Sequence, residues 1–149
     1  MSVKRGLSYY TLERGSSFME FSSEELIARI NSSREGSVWD VLDIKLVSAE
    51  KDKVVATMPI GPNQRQQVGY LHGGISVVLA ESVASLGTVL NIDASRQMAF
   101  GLEINANHLR PKRDGQLTAI ATPIHRGRDF VYWIAWLTAE HTLAHARPS

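Results

Sequence analysis

The first clear pattern along the chain is an alternation of apolar and polar positions between Val41 and Val47. Leu42, Ile44 and Leu46 share one side of this run, which predicts a strand with one buried face. After a charged turn, a second run with strand character, Lys53–Met58, is expected to return alongside the first. A loop rich in proline and glycine then ends the pattern.

Two helices are predicted. The short one begins at Ser22 or Ser23, where a serine cap precedes Glu24 and Glu25 in the first turn, and it ends near Ser32 to Gly36. The long one covers Gly73–Asn91 and is apolar on nearly every side. A helix without a polar face is expected to be buried.

The C-terminal half contains further runs of strand length, separated by glycine-containing turns. The expected strands are Met98–His108, Gln116–His125 and Phe130–Thr138, with a further candidate at His141–Ser149. An antiparallel sheet wrapped around the long helix satisfies this element order with short connections. The fold class is therefore α+β, with one domain over residues 22–149 and an N-terminal extension over residues 1–21.

Composition narrows the function without naming it. The 149 residues are 44% hydrophobic, carry a formal net charge of +1 and include no cysteine. A thiolate nucleophile, a disulfide and a cysteine-ligated metal are thereby excluded. The near-neutral charge supports neither a nucleic-acid nor a membrane partner, and no apolar run approaches the roughly 20 residues that span a bilayer. Without a signal peptide, we expect a cytoplasmic protein.

Glu81 is the residue that does not suit its surroundings in the long helix. An ionised carboxylate buried among apolar side chains costs several kcal/mol of free energy unless it is paired. No lysine or arginine occurs between Gly73 and Ser95, and Ser85 is the polar neighbour one turn on. A structural ion pair with a distant arginine and a catalytic role are the two explanations.

The start of the same helix favours catalysis. The sequence His72-Gly73-Gly74 leaves backbone N–H groups at the positive end of the helix, which suits a carbonyl oxygen that gains negative charge. Glu81 lies about 12 Å further along the helix, so the two groups cannot reach one substrate atom within one chain. A second, antiparallel copy of the helix across a two-fold axis would bring them together.

Three stretches resemble the hotdog-fold thioesterases of the phenylacetate-pathway type, and within them the branch that hydrolyses aromatic acyl-CoA thioesters. They are Gln66–Ser82, Gly101–His108 and Pro123–Gly127, and the resemblance covers roughly Val41 to Leu137. It implies a hotdog fold, hydrolysis of an acyl-CoA substrate, and a homo-oligomer with shared sites, assembled as a dimer of dimers.

The resemblance also implies roles for single residues. Glu81 matches the catalytic carboxylate, acting as nucleophile or as general base, and Gly73 matches the residue whose N–H polarises the thioester carbonyl. Gln66 matches a glutamine that lines the site from the facing subunit, and His72 a residue that orients the thioester. Ser85 falls where a hydroxyl assists water or product release.

Substrate and coenzyme A contacts are expected around the same helix and at two basic turns. His108 matches a histidine near the pantetheine and acyl junction, and arginine suits phosphate. A solvated charge cluster is the simpler explanation of the arginines. The residues assigned to substrate or coenzyme A binding are Gly74, His108, Arg110, His125, Arg126, Gly127 and Arg128.

No metal and no cofactor beyond the coenzyme A of the substrate are expected, because His72 and His108 lack metal-ligand spacing. One alternative from another class is a non-catalytic acyl-CoA-binding hotdog module, a sensor or scaffold. A hotdog dehydratase would require a histidine and aspartate arrangement that the sequence does not match.

Overall fold

A computed structural model describes residues 21–93 and 96–140 of the chain. Within them, one antiparallel sheet with the strand order β1-β2-β3-β4 is crossed by the long helix α3. The elements are α1 (Ser23–Ser32), α2 (Val38–Val41), β1 (Lys45–Glu50), β2 (Lys53–Pro59), a 3-10 turn (Pro62–Gln64), α3 (Gly73–Val89), β3 (Gln116–Arg126) and β4 (Val131–Glu140).

Small residues at the centre of the sheet let α3 lie close to it. Ala56 of β2 pairs with Ala119 of β3, and both side chains are fully buried. Leu79 and Val83 of α3 are also fully buried and belong to the same core cluster. The helix that carries the candidate site is therefore held against the sheet by the buried core.

The short N-terminal helix is confirmed, together with its cap. The Ser22 hydroxyl accepts a hydrogen bond from the Glu25 N–H at 3.2 Å, and the Glu25 carboxylate accepts one from the Ser22 N–H at 2.9 Å. The hydrogen bond from the Ser22 N–H to the carboxylate is the main cause that lowers the pKa of Glu25, and the Ser22 side chain lowers it further. Asn31 ties the helix to β1 by bonding both the N–H and the carbonyl of Leu46.

The expected strand at Val41–Val47 begins later than predicted. Val41 is the last residue of α2, and the strand starts at Lys45. Between them Asp43 adopts a positive φ of 51°, which turns the chain. Leu42 and Ile44 are buried in the core cluster as predicted, but they reach it from the turn before the strand and not from the strand itself.

The expected strand at Met98–His108 is wrong for the single chain. The segment has no regular secondary structure, and every residue from 101 to 110 is exposed. Phe100 is 82% exposed and Leu102 is 79% exposed. Within the described residues no neighbouring strand pairs with this segment, so its alternating pattern has no ladder to join.

The expectation that α3 is buried on all sides is also wrong for the single chain. Ser76, Leu79 and Val83 lie on a buried face toward the sheet, whereas Glu81 is exposed on the other side. The apolar residues of that outer side are half-buried. The helix thus has a second apolar face that one copy of the chain does not cover completely.

Three further expectations have separate outcomes. The two strands Gln116–His125 and Phe130–Thr138 are confirmed as the β3–β4 hairpin, each longer than predicted. The candidate strand at residues 141–149 and the extension over residues 1–20 lie outside the described residues. Across the described ranges, no helix is both long and apolar enough to cross a membrane.

Candidate active site

The loop that leads into α3 is anchored by a buried glutamine. The Gln64 side chain donates to the Leu42 carbonyl at 2.9 Å and accepts from the Gly61 N–H at 3.0 Å. Its backbone carbonyl accepts from the His72 N–H at 2.8 Å. Gln64 therefore fixes where α3 begins. The sequence prediction missed it, and its position three residues after Gly61 was the available signal.

The first turn of α3 leaves a single unpaired N–H. His72 caps the helix: its Nδ1 accepts from the Gly74 N–H at 3.0 Å, and its carbonyl accepts from the N–H groups of Ile75 and Ser76. Within the described chain, the Gly73 N–H has no hydrogen-bond partner. The helix thus presents one free donor at its positive end, and it is the donor that the sequence singled out. The N–H of Gly74, also assigned to substrate binding, is occupied by the cap.

His108 lies directly over Gly73. A Cβ placed on Gly73 would stand 2.9 Å from His108 Nε2, so the close approach requires a glycine. The buried Ser76 hydroxyl donates to the Gly73 carbonyl at 2.6 Å and lies 3.4 Å from His108 Nδ1. The structure therefore brings Gly73 and His108, two residues assigned to the site from the sequence, together with Ser76, which the sequence did not assign to it.

Glu81 occupies the exposed side of α3 with its carboxylate against Gly101. A Cβ on Gly101 would stand 2.5 Å from Glu81 Oε1, so this second glycine makes room for the carboxylate. Ser85 is half-buried one turn further on. Because Gly73 and Glu81 are eight positions apart on one helix, they are separated by about 12 Å. A single chain therefore does not bring them to one atom.

Gln66 lies in a tight turn before the helix. Its N–H donates to the Tyr70 carbonyl at 2.7 Å, and its carbonyl accepts from the Gly69 N–H at 2.9 Å. Gly69 has a φ of 85°, which suits glycine at this point. The Gln66 side chain is exposed, so it is available to another molecule.

Arg126 is engaged at the opposite end of α3 from Gly73. Its guanidinium donates to the Asp52 carboxylate and to the Lys51 carbonyl, the latter at 2.8 Å. Asn91, just beyond the helix, donates to the same carbonyl at 2.9 Å. The 17 residues of α3 span about 25 Å, so this turn does not meet Gly73 within one chain.

The remaining residues assigned to coenzyme A are at the surface. His125 makes a tilted ring contact with Tyr132 at 6.2 Å, and Arg128 pairs with its neighbour Asp129 at 3.3 Å. Gly127 closes the β3–β4 turn by donating to the Phe130 carbonyl. Arg110 is exposed.

Arg113 is the basic residue that the structure places beside the loop into α3. Its guanidinium lies 4.2 Å above the ring of Tyr70 and donates to the Tyr70 hydroxyl at 3.0 Å. The adjacent Lys112 carbonyl accepts from the Leu71 N–H, which ties this basic turn to the helix entrance. The described residues contain no group of histidine, aspartate or glutamate side chains arranged to hold a metal ion.

The chain is similar to several known proteins. The thioesterase superfamily profile matches residues 68–143. A putative esterase of Pseudomonas aeruginosa is 42% identical over 107 residues, which cover 72% of this chain and 74% of that protein. A 1,4-dihydroxy-2-naphthoyl-CoA hydrolase of Listeria monocytogenes is 45% identical over 101 residues, 68% of this chain and 81% of that protein.

A solved structure gives the same result for the fold. The crystal structure of a mutant thioesterase from Pseudomonas aeruginosa matches with a TM-score of 0.74 at 39% sequence identity, covering 76% of this chain and 82% of that chain. The expected α+β architecture, a sheet wrapped around one long helix, is the hotdog arrangement of these proteins. The chain belongs to the thioesterase superfamily.

Proposed function

We propose that this thioesterase hydrolyses an acyl-CoA thioester with an aromatic acyl group, giving the free acid and coenzyme A. The observation that carries the proposal is the Gly73 N–H, the one donor of the first helical turn that has no partner within the described chain. The similarity to a 1,4-dihydroxy-2-naphthoyl-CoA hydrolase supports an aromatic acyl group.

The chemistry requires little beyond this donor and a carboxylate. The thioester carbonyl oxygen accepts the Gly73 N–H and gains negative charge beside the positive end of α3 as the carbonyl carbon is attacked. A preorganised donor of this kind contributes about 3 kcal/mol to the transition state. Thiolate is a good leaving group, so neither a metal nor a strongly activated nucleophile is needed.

Glu81 supplies the carboxylate, either attacking the carbonyl carbon or removing a proton from the attacking water. Its exposed position on α3 and the space left by Gly101 support access to a substrate. Ser85, one turn on, assists the water or the departing product. Gln66 and His72 orient the thioester from the loop before α3 and from its cap.

The site is shared between two copies of the chain. In an antiparallel pair of α3 helices, Glu81 of the partner subunit comes beside Gly73, which removes the 12 Å separation found within one chain. The same pairing moves the partner's β3–β4 turn toward Gly73, because that turn lies at the far end of its own helix. Arg126 and Arg128 then approach the phosphates of coenzyme A, while His125 and Gly127 shape the turn.

Exposed apolar surface supports such an oligomer. Phe100, Leu102 and Ile104 alternate along an exposed segment that is long enough to pair with a second copy. The outer face of β4 exposes Tyr132, Ile134 and Trp136, and contiguous exposed apolar side chains are typical of interaction surfaces. These two surfaces support a dimer and a dimer of dimers.

A thiol-release assay over a panel of thioesters tests the reaction. The panel contains acetyl-CoA, palmitoyl-CoA, phenylacetyl-CoA, 4-hydroxybenzoyl-CoA and 1,4-dihydroxy-2-naphthoyl-CoA, and we expect the aromatic members to react fastest. Glu81→Gln should lower turnover by several orders of magnitude, whereas Glu35→Gln, which changes an exposed loop carboxylate, should not. Tight binding without hydrolysis of any member would instead indicate a sensor or scaffold.

A matched pair of substitutions isolates the Gly73 donor. Gly73→Ala keeps the N–H but adds a Cβ against His108, whereas Gly73→Pro adds a side chain and also removes the N–H. Proline suits the first helical position, and His72 has the extended backbone that precedes proline. The proline variant should be about 100-fold slower than the alanine variant. Equal rates would remove Gly73 from the mechanism.

A further inference from the structure

The Ser76 hydroxyl is one of few polar side-chain groups in the buried part of the described chain. Ser76 is 3% exposed, and its hydroxyl proton is committed to the Gly73 carbonyl at 2.6 Å. A hydroxyl has one proton and two lone pairs, so the oxygen can otherwise only accept. The donor available to it is the His108 ring, whose Nδ1 lies 3.4 Å away.

This arrangement determines which nitrogen of His108 carries the proton. If Ser76 can only accept, a neutral His108 must hold its proton on Nδ1, and Nε2 is left with a free lone pair. Nε2 is also the ring atom nearest to Gly73, at 2.9 Å from the position of an added Cβ. The lone pair therefore faces the entrance where the thioester meets the Gly73 N–H.

His72, the residue before Gly73, shows the opposite arrangement. Its Nδ1 accepts from the Gly74 N–H at 3.0 Å, so the neutral ring holds its proton on Nε2. One histidine thus presents a donor and the other an acceptor at the first two residues of the helix. A thioester of coenzyme A has matching groups, since a short ethylene link joins its sulfur to an amide N–H.

We propose that Ser76 is a positioning residue that holds His108 as the Nδ1–H tautomer, so that Nε2 accepts the nearest amide N–H of the pantetheine arm. The proposal rests on the proposed thioesterase function. Ser76 touches no substrate in this scheme. It acts through the orientation and protonation of His108, so its loss should weaken recognition of the amide rather than the chemistry at the carbonyl.

Nitrogen NMR of the full chain labelled with ¹⁵N-histidine tests the tautomer without any activity. The His108 signals are assigned by their loss in His108→Gln. We expect the Nδ1–H form in the wild type and a shift toward Nε2–H in Ser76→Ala, with Ser76→Thr restoring the wild-type pattern. An Nε2–H form or a doubly protonated ring in the wild type would overturn the proposal.

Kinetics with two small thioesters test the acceptor role. S-benzoyl-N-acetylcysteamine carries the amide N–H, whereas S-butyl thiobenzoate does not. Ser76→Ala should lower kcat/KM about fivefold for the first, mainly through KM, and leave the second unchanged, since one hydrogen bond is lost. The control Ser32→Ala removes a hydroxyl that donates to a carbonyl three residues back, as Ser76 does, but with no histidine nearby.

The outcomes separate this proposal from the proposed function. An equal loss on both thioesters would show that Ser76 is only structural and would overturn the positioning role. If the wild type hydrolysed neither these thioesters nor the acyl-CoA panel, the proposed function would fail, while the tautomer measurement would still decide the Ser76 and His108 relationship.

Discussion

The β3–β4 hairpin and the segment of residues 98–108 have a similar alternation of apolar side chains, but only the hairpin forms paired strands. In the hairpin, Ala119 pairs with Leu137 and faces the core, and the ladder continues along both strands. In the segment, Phe100 and Leu102 alternate in the same way but remain exposed, and no strand pairs with them within the described chain.

The difference shows that an alternating pattern predicts a segment with one apolar face. The segment becomes a strand only where a neighbouring strand pairs with its backbone. β3 has β2 on one side and β4 on the other, so both its backbone edges are bonded. The 98–108 segment has α3 on one side, through Gly101 and His108, and an unused apolar side. We propose that this side is completed by a second copy, and the following substitutions contrast the two regions.

Proline substitutions should separate the two regions most strongly. Ala119→Pro removes a ladder hydrogen bond in a central strand, and we expect a loss of at least about 3 kcal/mol in the free energy of unfolding. Leu102→Pro should leave the chain folded but convert the dimer to a monomer and abolish turnover. Thermal unfolding and sedimentation measure the two effects. Leu102→Pro that stays dimeric would contradict the proposed pairing.

Removing a leucine from each region should give the next largest contrast. Leu117 of β3 is buried, so Leu117→Ala is expected to cost about 2–5 kcal/mol at any protein concentration. Leu102 is exposed in one chain, so Leu102→Ala should change the stability of dilute protein by no more than about 0.5 kcal/mol. The melting temperature of Leu102→Ala should also depend less on protein concentration than the melting temperature of the wild type does. A large loss for dilute Leu102→Ala would mean that the single chain already buries this side chain.

Two glycines at contacts of α3, Gly87 within the helix and Gly101 in the 98–108 segment, give a smaller contrast in stability. A Cβ on Gly87 would overlap the Trp133 ring, so Gly87→Ala should cost about 1–3 kcal/mol. A Cβ on Gly101 meets the movable end of Glu81 instead, so Gly101→Ala should hardly change stability.

The Gly101→Ala variant is informative through its rate. Displacement of the Glu81 carboxylate is expected to lower kcat by up to about a hundredfold. Unchanged turnover in a stable variant would show that the carboxylate position observed against Gly101 is not the productive one.

The smallest stability effect is expected at the turn of the hairpin. Arg126→Ala removes an exposed pair with Asp52, which should change stability by less than about 1 kcal/mol. If the same arginine meets coenzyme A in the dimer, KM should rise for a CoA thioester and stay constant for the matching N-acetylcysteamine thioester. An equal change in both would remove Arg126 from nucleotide binding.

The fold was predictable where its signals are local. The serine cap of α1, the glycines at the start of α3 and the turns around Gly115 and Gly127 all lie within a few residues of the features they determine. The start of β1 was not predictable, because Leu42 and Ile44 are buried in the core from the turn before the strand, and their alternation resembles that of a strand. The exposure of Glu81 in the single chain was also unpredictable. An apolar helix is expected to be covered, but its sequence does not show whether its own chain or a second copy covers each face.

In the candidate site, too, residues with a local sequence signal were predicted and residues that depend on distant contacts were not. Gly73 and Glu81 were proposed as site residues from their chemistry on one helix, together with a resemblance to known thioesterases. The contact of Gln64 with Leu42 and the contact of Ser76 with His108 were missed, because the partners lie 22 and 32 positions apart along the chain. Contacts of that length depend on the folded structure, so a pattern within one segment cannot reveal them.

Complementation between two inactive variants tests the central claim, that the site is shared, most directly. Glu81→Gln and Gly73→Pro subunits, each nearly inactive alone, are co-expressed with different tags, and hydrolysis of the panel's best thioester is measured. A shared site predicts recovery of about a quarter of the wild-type rate, since half of the dimers are mixed and each has one intact site. Replacing the Gly73→Pro partner by the Gly73→Pro, Glu81→Gln double variant should abolish recovery. No recovery in the first mixture would place both groups in one chain and contradict the account.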